Sequence, residues 1–200
     1  MKRIFLSGIL TLAFVFTGCK NENTTAEERV DENTNLTQED SDMMMEEEEE
    51  VKEITVQFQA KSGSTLSGNV TFMEEDGEVT MNAKFSGLKE GMHAIHLHEK
   101  GDCSADDGTS AGGHWNPSNK QHGEWGSAKG YHSGDIGNFD VNAEGKGSIT
   151  FTTDEWCIGC DDASKDILGK SVIVHEGVDD FSSQPSGAAG KRIGCAVINM

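Results

Sequence analysis

From position 54 to the C-terminus the chain alternates apolar and polar residues in short runs, separated by turns rich in Gly, Asn and Asp. The runs cover 54–60, 66–73, 79–85, 93–99, 136–141, 148–151, 172–175 and 193–198. A period of two places successive side chains on opposite faces of a strand, and no stretch carries a convincing helical period. Eight strands of this kind predict an all-β domain. Their shortness and Gly-rich connections favour an eight-stranded Greek-key β-sandwich or flattened barrel. Two stretches, 100–134 and 176–192, break the alternation. Irregular segments of that length in a compact domain commonly carry function.

The pattern fails altogether before position 54. Lys2 and Arg3 precede an apolar run over 4–16, which ends at Thr17-Gly18-Cys19. This reads as a secretory signal with a lipoprotein-type cleavage site, giving 1–19 as the signal and Cys19 as the lipidated residue. The run is shorter than the ~20 apolar residues that span a bilayer comfortably. Phe16 and Thr17 depart from the usual residues before such a Gly-Cys pair, so ordinary signal cleavage and an uncleaved anchor remain the competing readings. Segment 20–53 holds 14 acidic and 3 basic residues, with an unbroken glutamate run over 46–50. It has almost no residues able to form a core, and it reads as a disordered, self-repelling tether. The remaining domain, 54–200, has 21 acidic and 11 basic residues, so much of the chain's net charge of −19 belongs to the tether. Neither segment has the basic surface that nucleic acid binding requires. The expected location is outside the cytoplasm, on a membrane in the periplasm or at the cell surface.

All seven histidines fall between 93 and 175. His96 and His98 are two apart, so a strand presents both rings on one face. His114, His122, His132 and Asp135 offer three imidazoles and a carboxylate from a Gly-rich stretch, a donor set suited to tetrahedral zinc. His175 ends the apolar run over 171–174. A lone histidine is more often a satisfied core or surface residue than a ligand, and spacing alone does not decide among them.

Five segments carry more: GMHAIHLHEKGDC (91–103), SAGGHWNP (110–117), HSGDIGN (132–138), VIVHEGVDD (172–180) and PSGAAGKRIGCAVI (185–198). In this order they resemble copper,zinc superoxide dismutase, a resemblance extending from about position 51 to the C-terminus. It implies that His96, His98 and His175 bind copper, that His114 bridges the metals as an imidazolate, and that His122, His132 and Asp135 complete a zinc site. It further implies that Asp179 hydrogen-bonds to one ligand of each metal, that Arg192 guides and holds the anion superoxide, that His93 is structural, and that Cys103 pairs with Cys195. The chain departs from the family at Ala188, where asparagine is usual, at Ser186 for threonine and at Trp115 for phenylalanine. Its second long loop is shorter than in eukaryotic members. A homodimer is left open.

Cys157 and Cys160, in Cys-Ile-Gly-Cys, have no counterpart in the family pattern. A local disulfide, free thiols and an auxiliary copper-capturing thiolate pair all remain open. For the whole chain the alternative to a copper- and zinc-dependent oxidoreductase is an exported buffer of those metals with little catalysis. A third reading is a cell-surface sandwich that uses metals only for stability.

Overall fold

The computed structural model describes residues 51–200. The expected signal, the lipidation site Cys19 and nearly all of the expected tether lie outside them. Nine strands form one sheet: β1 (Lys52–Gln57), β2 (Gln59–Ala60), β3 (Ser67–Glu75), β4 (Glu78–Ser86), β5 (Gly91–His98), β6 (Gly137–Val141), β7 (Gly147–Thr153), β8 (Ser171–His175) and β9 (Arg192–Val197). The order is β1-β3-β4-β7-β6-β5-β8-β9-β2 and every pairing is antiparallel. Connections β4–β5 and β7–β8 each cross over intervening strands, as Greek keys do. Among the described residues no helix is long and apolar enough to cross a membrane.

The sequence pattern predicts eight strands because it runs unbroken through 54–60. In the structure this run turns a corner at Phe58, with β1 pairing to β3 and β2 pairing to β9. One continuous segment thus joins both ends of the sheet and nearly closes the barrel, which removes two free edges. The first strand also begins at Lys52, so the last two residues of the expected tether are paired with Glu74 and Met73.

Strand β4 shows the one-sided burial that alternation implies, with Val79, Met81, Ala83 and Phe85 inward and exposed or half-buried residues between them. Strands β5, β8 and β9 do not. From His93 to His98 every residue is buried, as is all of β8. Inward-facing Ile95, Leu97, Val172 and Val174 join the barrel core. The outer face of these strands is covered by the loop 99–136, pinned there by the Cys103–Cys195 disulfide. Both cysteines belong to a small apolar cluster with Ala111 and Ile173, beneath that loop. Closing 92 residues of chain stabilises a fold by about 4–5 kcal/mol in the chain-entropy account. Here it also gives the outer face of the sheet a lid.

Candidate metal centre

The outer face of β5 carries His96 and His98, and the covering loop brings His114 back beside them. His98 and His114 form an isolated bridge, Trp115 N–H donates to the Leu97 carbonyl at 2.9 Å, and Leu97 N–H donates to the Gly134 carbonyl at 2.9 Å. The loop therefore crosses β5 twice as pseudo-strands. Gly134 is required at one crossing, since a Cβ there would lie 2.2 Å from the Leu97 oxygen. His175 arrives from β8 through a bulge. Val174 pairs with Gly194 but His175 pairs with Arg192, leaving Ile193 extra. Bulges re-aim side chains, and this one places a ring and a guanidinium side by side.

Two four-residue clusters result, His96, His98, His114 and His175 in one and His114, His122, His132 and Asp135 in the other, all buried. In each, the candidate ligand atoms lie within 4.8 Å of one another. His114 belongs to both. The structure thus brings together all seven residues that the sequence put forward as ligands.

The ring nitrogens divide into two classes. The outer ones have partners: His96 Nε2 with Asp179 Oδ2 at 2.8 Å, His98 Nδ1 with the Gly112 carbonyl at 3.0 Å, His122 Nε2 with Asp179 Oδ1 at 2.9 Å, and His132 Nε2 with the Lys120 carbonyl at 3.1 Å. Acceptor oxygens at these positions fix the proton on the outer nitrogen. Of the inner ones, His96 Nδ1, His98 Nε2, His114 Nε2 and His175 Nε2 are buried with no hydrogen-bond partner, while His122 Nδ1 and His132 Nδ1 face the Asp135 carboxylate at 3.0 and 3.1 Å. Lone pairs converging without donors are what a metal ion satisfies, so the donor set fits one imidazole-bound ion and one bound by imidazoles with a carboxylate. Asp135 Oδ1 stands 2.8 Å from His114 Nδ1, and its Oδ2 accepts from the backbone of Gly123 and His132 at 3.1 and 2.8 Å. Main-chain donors therefore help orient the carboxylate.

Asp179 joins the two clusters, and the residues that hold it were not singled out in the sequence. The Asn138 side chain donates to the Asp179 carbonyl at 2.9 Å and accepts from its N–H at 2.8 Å. Gly187, at φ +63°, leaves the space that Asp179 occupies, since a Cβ there would sit 1.8 Å from Oδ1. Gln184 is bonded to both the N–H and the carbonyl of His122. Trp156 donates from Nε1 to the Ser133 carbonyl at 2.8 Å, buttressing the turn between His132 and Asp135. Asn138 lies in the quoted segment 132–138 and Gly187 in 185–198, so a signal was present for both, but their roles depend on neighbours far away in sequence. His93 lies between the carbonyls of Lys89 and His175, 2.9 Å from each, in the structural role expected of it.

Arg192 is half-buried and donates from Nη1 to the Gly108 carbonyl at 2.8 Å. It forms one wall of a cleft of about 310 Å³ whose lining includes His98, His114, His175, Asn116 and Ser186. A larger groove between β6 and β7 contains no histidine or cysteine.

Charge in the metal-free chain follows from burial. Desolvation pushes His98 and His175 well below the ordinary imidazole value and His114 down to about 4. Burial would lower His122 as well, but Asp135 and Asp179, 3.0 and 2.9 Å from its two ring nitrogens, outweigh it and raise this ring to about 9. Asp135 is held far below the usual carboxylate range by the surrounding rings, against the opposing effect of its burial.

Two outcomes are expected. Between pH 6.5 and about 4 the unfolded chain takes up protons at His98, His114 and His175 that the folded chain refuses, while His122 is protonated in both states. The metal-free protein should therefore lose thermal stability as pH falls through that window. A melting temperature that rises on acidification would contradict this. Gly187→Ala should displace Asp179 and lower the affinity of both clusters by about 10–100-fold, the usual effect of losing an outer partner of a metal ligand. Metal titration with loss at one cluster alone would show that Asp179 does not couple them.

The family model described as "Copper/zinc superoxide dismutase (SODC)" matches residues 66–198. The curated protein "Superoxide dismutase [Cu-Zn] 5" of Dictyostelium discoideum is 35% identical over 144 residues, covering 68% of this chain and 91% of that protein. Among solved structures, a double mutant of a SOD-like protein from Bacillus subtilis superposes with a TM-score of 0.66 at 34% identity, covering 73% of this chain and 97% of that one. The clock protein EA4 superposes with a TM-score of 0.64 at 32% identity, covering 74% and 93%. With two buried clusters suited to the two metals of that family, on a Greek-key barrel like those of its members, this chain belongs to the copper/zinc superoxide dismutase family.

Proposed function

We propose that the protein converts superoxide to dioxygen and hydrogen peroxide at the cleft beside Arg192, with copper held by His96, His98, His114 and His175 and zinc by His114, His122, His132 and Asp135. The reading rests chiefly on one observation: unpartnered ring nitrogens converge near an open cleft whose wall carries a guanidinium. Copper supplies the one-electron couple that oxidises one superoxide and reduces the next. The chain's own residues do the rest. Arg192 attracts the anion and orients it, having spent one donor on Gly108 and kept others free. His114 directs Nδ1 toward the Asp135 cluster and Nε2 toward the other. Its Nε2 can thus take up a proton and pass it to the peroxide product, while Asp135 on the far side holds the ring in place. Asp179 keeps protons on the outer nitrogens of His96 and His122, so both inner nitrogens stay free.

The domain is acidic although the substrate is an anion. Charges beyond about 8 Å are largely screened at physiological salt, so the local field of Arg192 and Lys191 governs the last approach. A metal buffer is the competing reading. Storage requires neither a guanidinium nor a cleft, and both accompany the cluster here. Arg192→Ala should retain the parent copper and zinc contents but lower the dismutation rate at least about tenfold, which is roughly 1.4 kcal/mol at the transition state. Arg192→Glu should be slower still. Full metal with an unchanged rate in Arg192→Ala would remove this residue from the mechanism, and a metal-replete parent without activity would favour the buffer.

We further propose an exported enzyme, lipidated at Cys19 and tethered to a periplasmic or cell-surface membrane through the acidic segment 20–51. The support is the sequence pattern alone. Cys19→Ser should abolish incorporation of a labelled fatty acid and leave the purified protein active. Labelling that persists would reject the anchor.

A further inference from the structure

Cys157 and Cys160 take no part in the site described above. They occupy a tight turn in the connector 154–170 and are disulfide-bonded to each other. The accessibility of Cys160 sets this pair apart from the other. Cys103 and Cys195 are 6% and 0% exposed within an apolar cluster and Cys157 is likewise 6% exposed, whereas Cys160 is half-buried. The turn is also held by bonds that do not involve sulfur. Cys157 N–H donates to the Lys165 carbonyl at 2.9 Å, and the Cys157 carbonyl accepts from Ile167 at 3.1 Å. Ile158 N–H donates to Glu74 at 2.8 Å, Lys52 donates to the Ile158 carbonyl at 2.9 Å, and Gly159 N–H donates to Asp166 at 2.9 Å. The Ile158 side chain is fully buried. Opening the sulfur–sulfur bond therefore leaves two thiols on a rigid turn, with their Cα atoms 6.0 Å apart.

A third sulfur lies close by. Met200 is 83% exposed, yet its terminal methyl lies against the middle of this turn, 3.2 Å from where a Cβ on Gly159 would stand. An exposed thioether thus lies over a turn that carries one partly accessible cysteine, Cys160, and one buried one, Cys157. We propose that, in its thiol state, the pair Cys157 and Cys160 with Met200 binds one cuprous ion, at a site separate from the dismutation centre and additional to it. Two thiolates and a thioether are soft donors of the kind that select cuprous copper. The site becomes available by thiol exchange. A low-molecular-weight thiolate attacks the accessible Cys160 Sγ, Cys157 leaves as a thiolate, and a second external thiol completes the two-electron reduction, forming one external disulfide. Binding then displaces the two thiol protons, and the copper does not change oxidation state.

The test uses the full chain already loaded with copper and zinc, so that the dismutation centre is filled. After anaerobic reduction with a phosphine and removal of the reductant, cuprous ion is titrated in competition with bicinchoninate. One additional copper per chain is expected after reduction and none before it, with copper–sulfur distances in X-ray absorption. Cys157→Ser/Cys160→Ser should lose that copper and keep the parent dismutation rate, which also reports that it is folded. Should the double variant not fold, Cys160→Ser alone, which keeps the buried Cys157, serves in its place. Met200→Leu should weaken the extra copper at least about tenfold. No additional copper after reduction, equal uptake by the serine variants, or an unchanged affinity in Met200→Leu would each overturn the three-sulfur site. Because the dismutation rate is followed on the same samples, failure here is distinguishable from failure of the functional reading.

Discussion

Four buried ring nitrogens with no protein partner, His96 Nδ1, His98 Nε2, His114 Nε2 and His175 Nε2, are the constraint on which this structure depends. Leaving a buried polar atom unsatisfied costs about 1–3 kcal/mol, so together they oppose folding by a large share of a domain's net stability of roughly 5–15 kcal/mol. The architecture around them answers that cost. A nearly closed barrel gives a rigid floor, the disulfide holds the covering loop on it, and the outer nitrogens are all given acceptors so that no inner nitrogen can turn away. Metal ions supply the partners the protein withholds. Their binding energy is thereby part of the folding energy.

Coupling between the two clusters is built twice, at different levels. The direct link is the His114 ring, which faces Asp135 with one nitrogen and the histidine cluster with the other. The indirect link is Asp179, whose two oxygens meet His96 and His122. Asn138 ties this residue to β6, Gly187 leaves it room, and the Phe181 N–H adds a bond at 2.7 Å. The loop after β8 therefore positions ligands that it does not itself carry. A change in one cluster's geometry must be felt in the other.

The strands were legible in the sequence because a period of two is a local pattern, and His96 and His98 because their spacing puts both rings on one face. The other ligands were legible only through the family resemblance of the segments that carry them. The corner at Phe58 was not. Ile54, Val56 and Phe58 keep their inward alternation straight through it, so the change of partner from β3 to β9 leaves no local trace. Continuous burial of β5 and β8 likewise depends on a loop that returns from far along the chain. Of the Cys157 and Cys160 alternatives, the structure shows the local disulfide, which spacing by itself could not select. Asn138 and Gly187 stood inside quoted motifs, but the backbone of Asp179, more than forty residues from Asn138, gives that residue its role.

Ala188 shows how a departure from the family pattern is absorbed. Its φ of +51° lies in the left-handed region, which asparagine visits readily and alanine enters at a cost of about 1–2 kcal/mol. The loop holds the conformation without help from that side chain. Glu176 N–H donates to the Lys191 carbonyl at 2.8 Å, Gly177 N–H to the Ala189 carbonyl at 2.9 Å, and Asp180 N–H to the Gly187 carbonyl at 3.0 Å, a ladder with Ala188 near its tip. That ladder ends next to the bulge that sets His175 against Arg192. The guanidinium at the cleft is consequently placed by main-chain bonds on both sides, to Gly108 through its own Nη1 and to the rest of the loop through the ladder. Its position in this chain rests on those main-chain bonds, with Ala188 contributing no side-chain hydrogen bond.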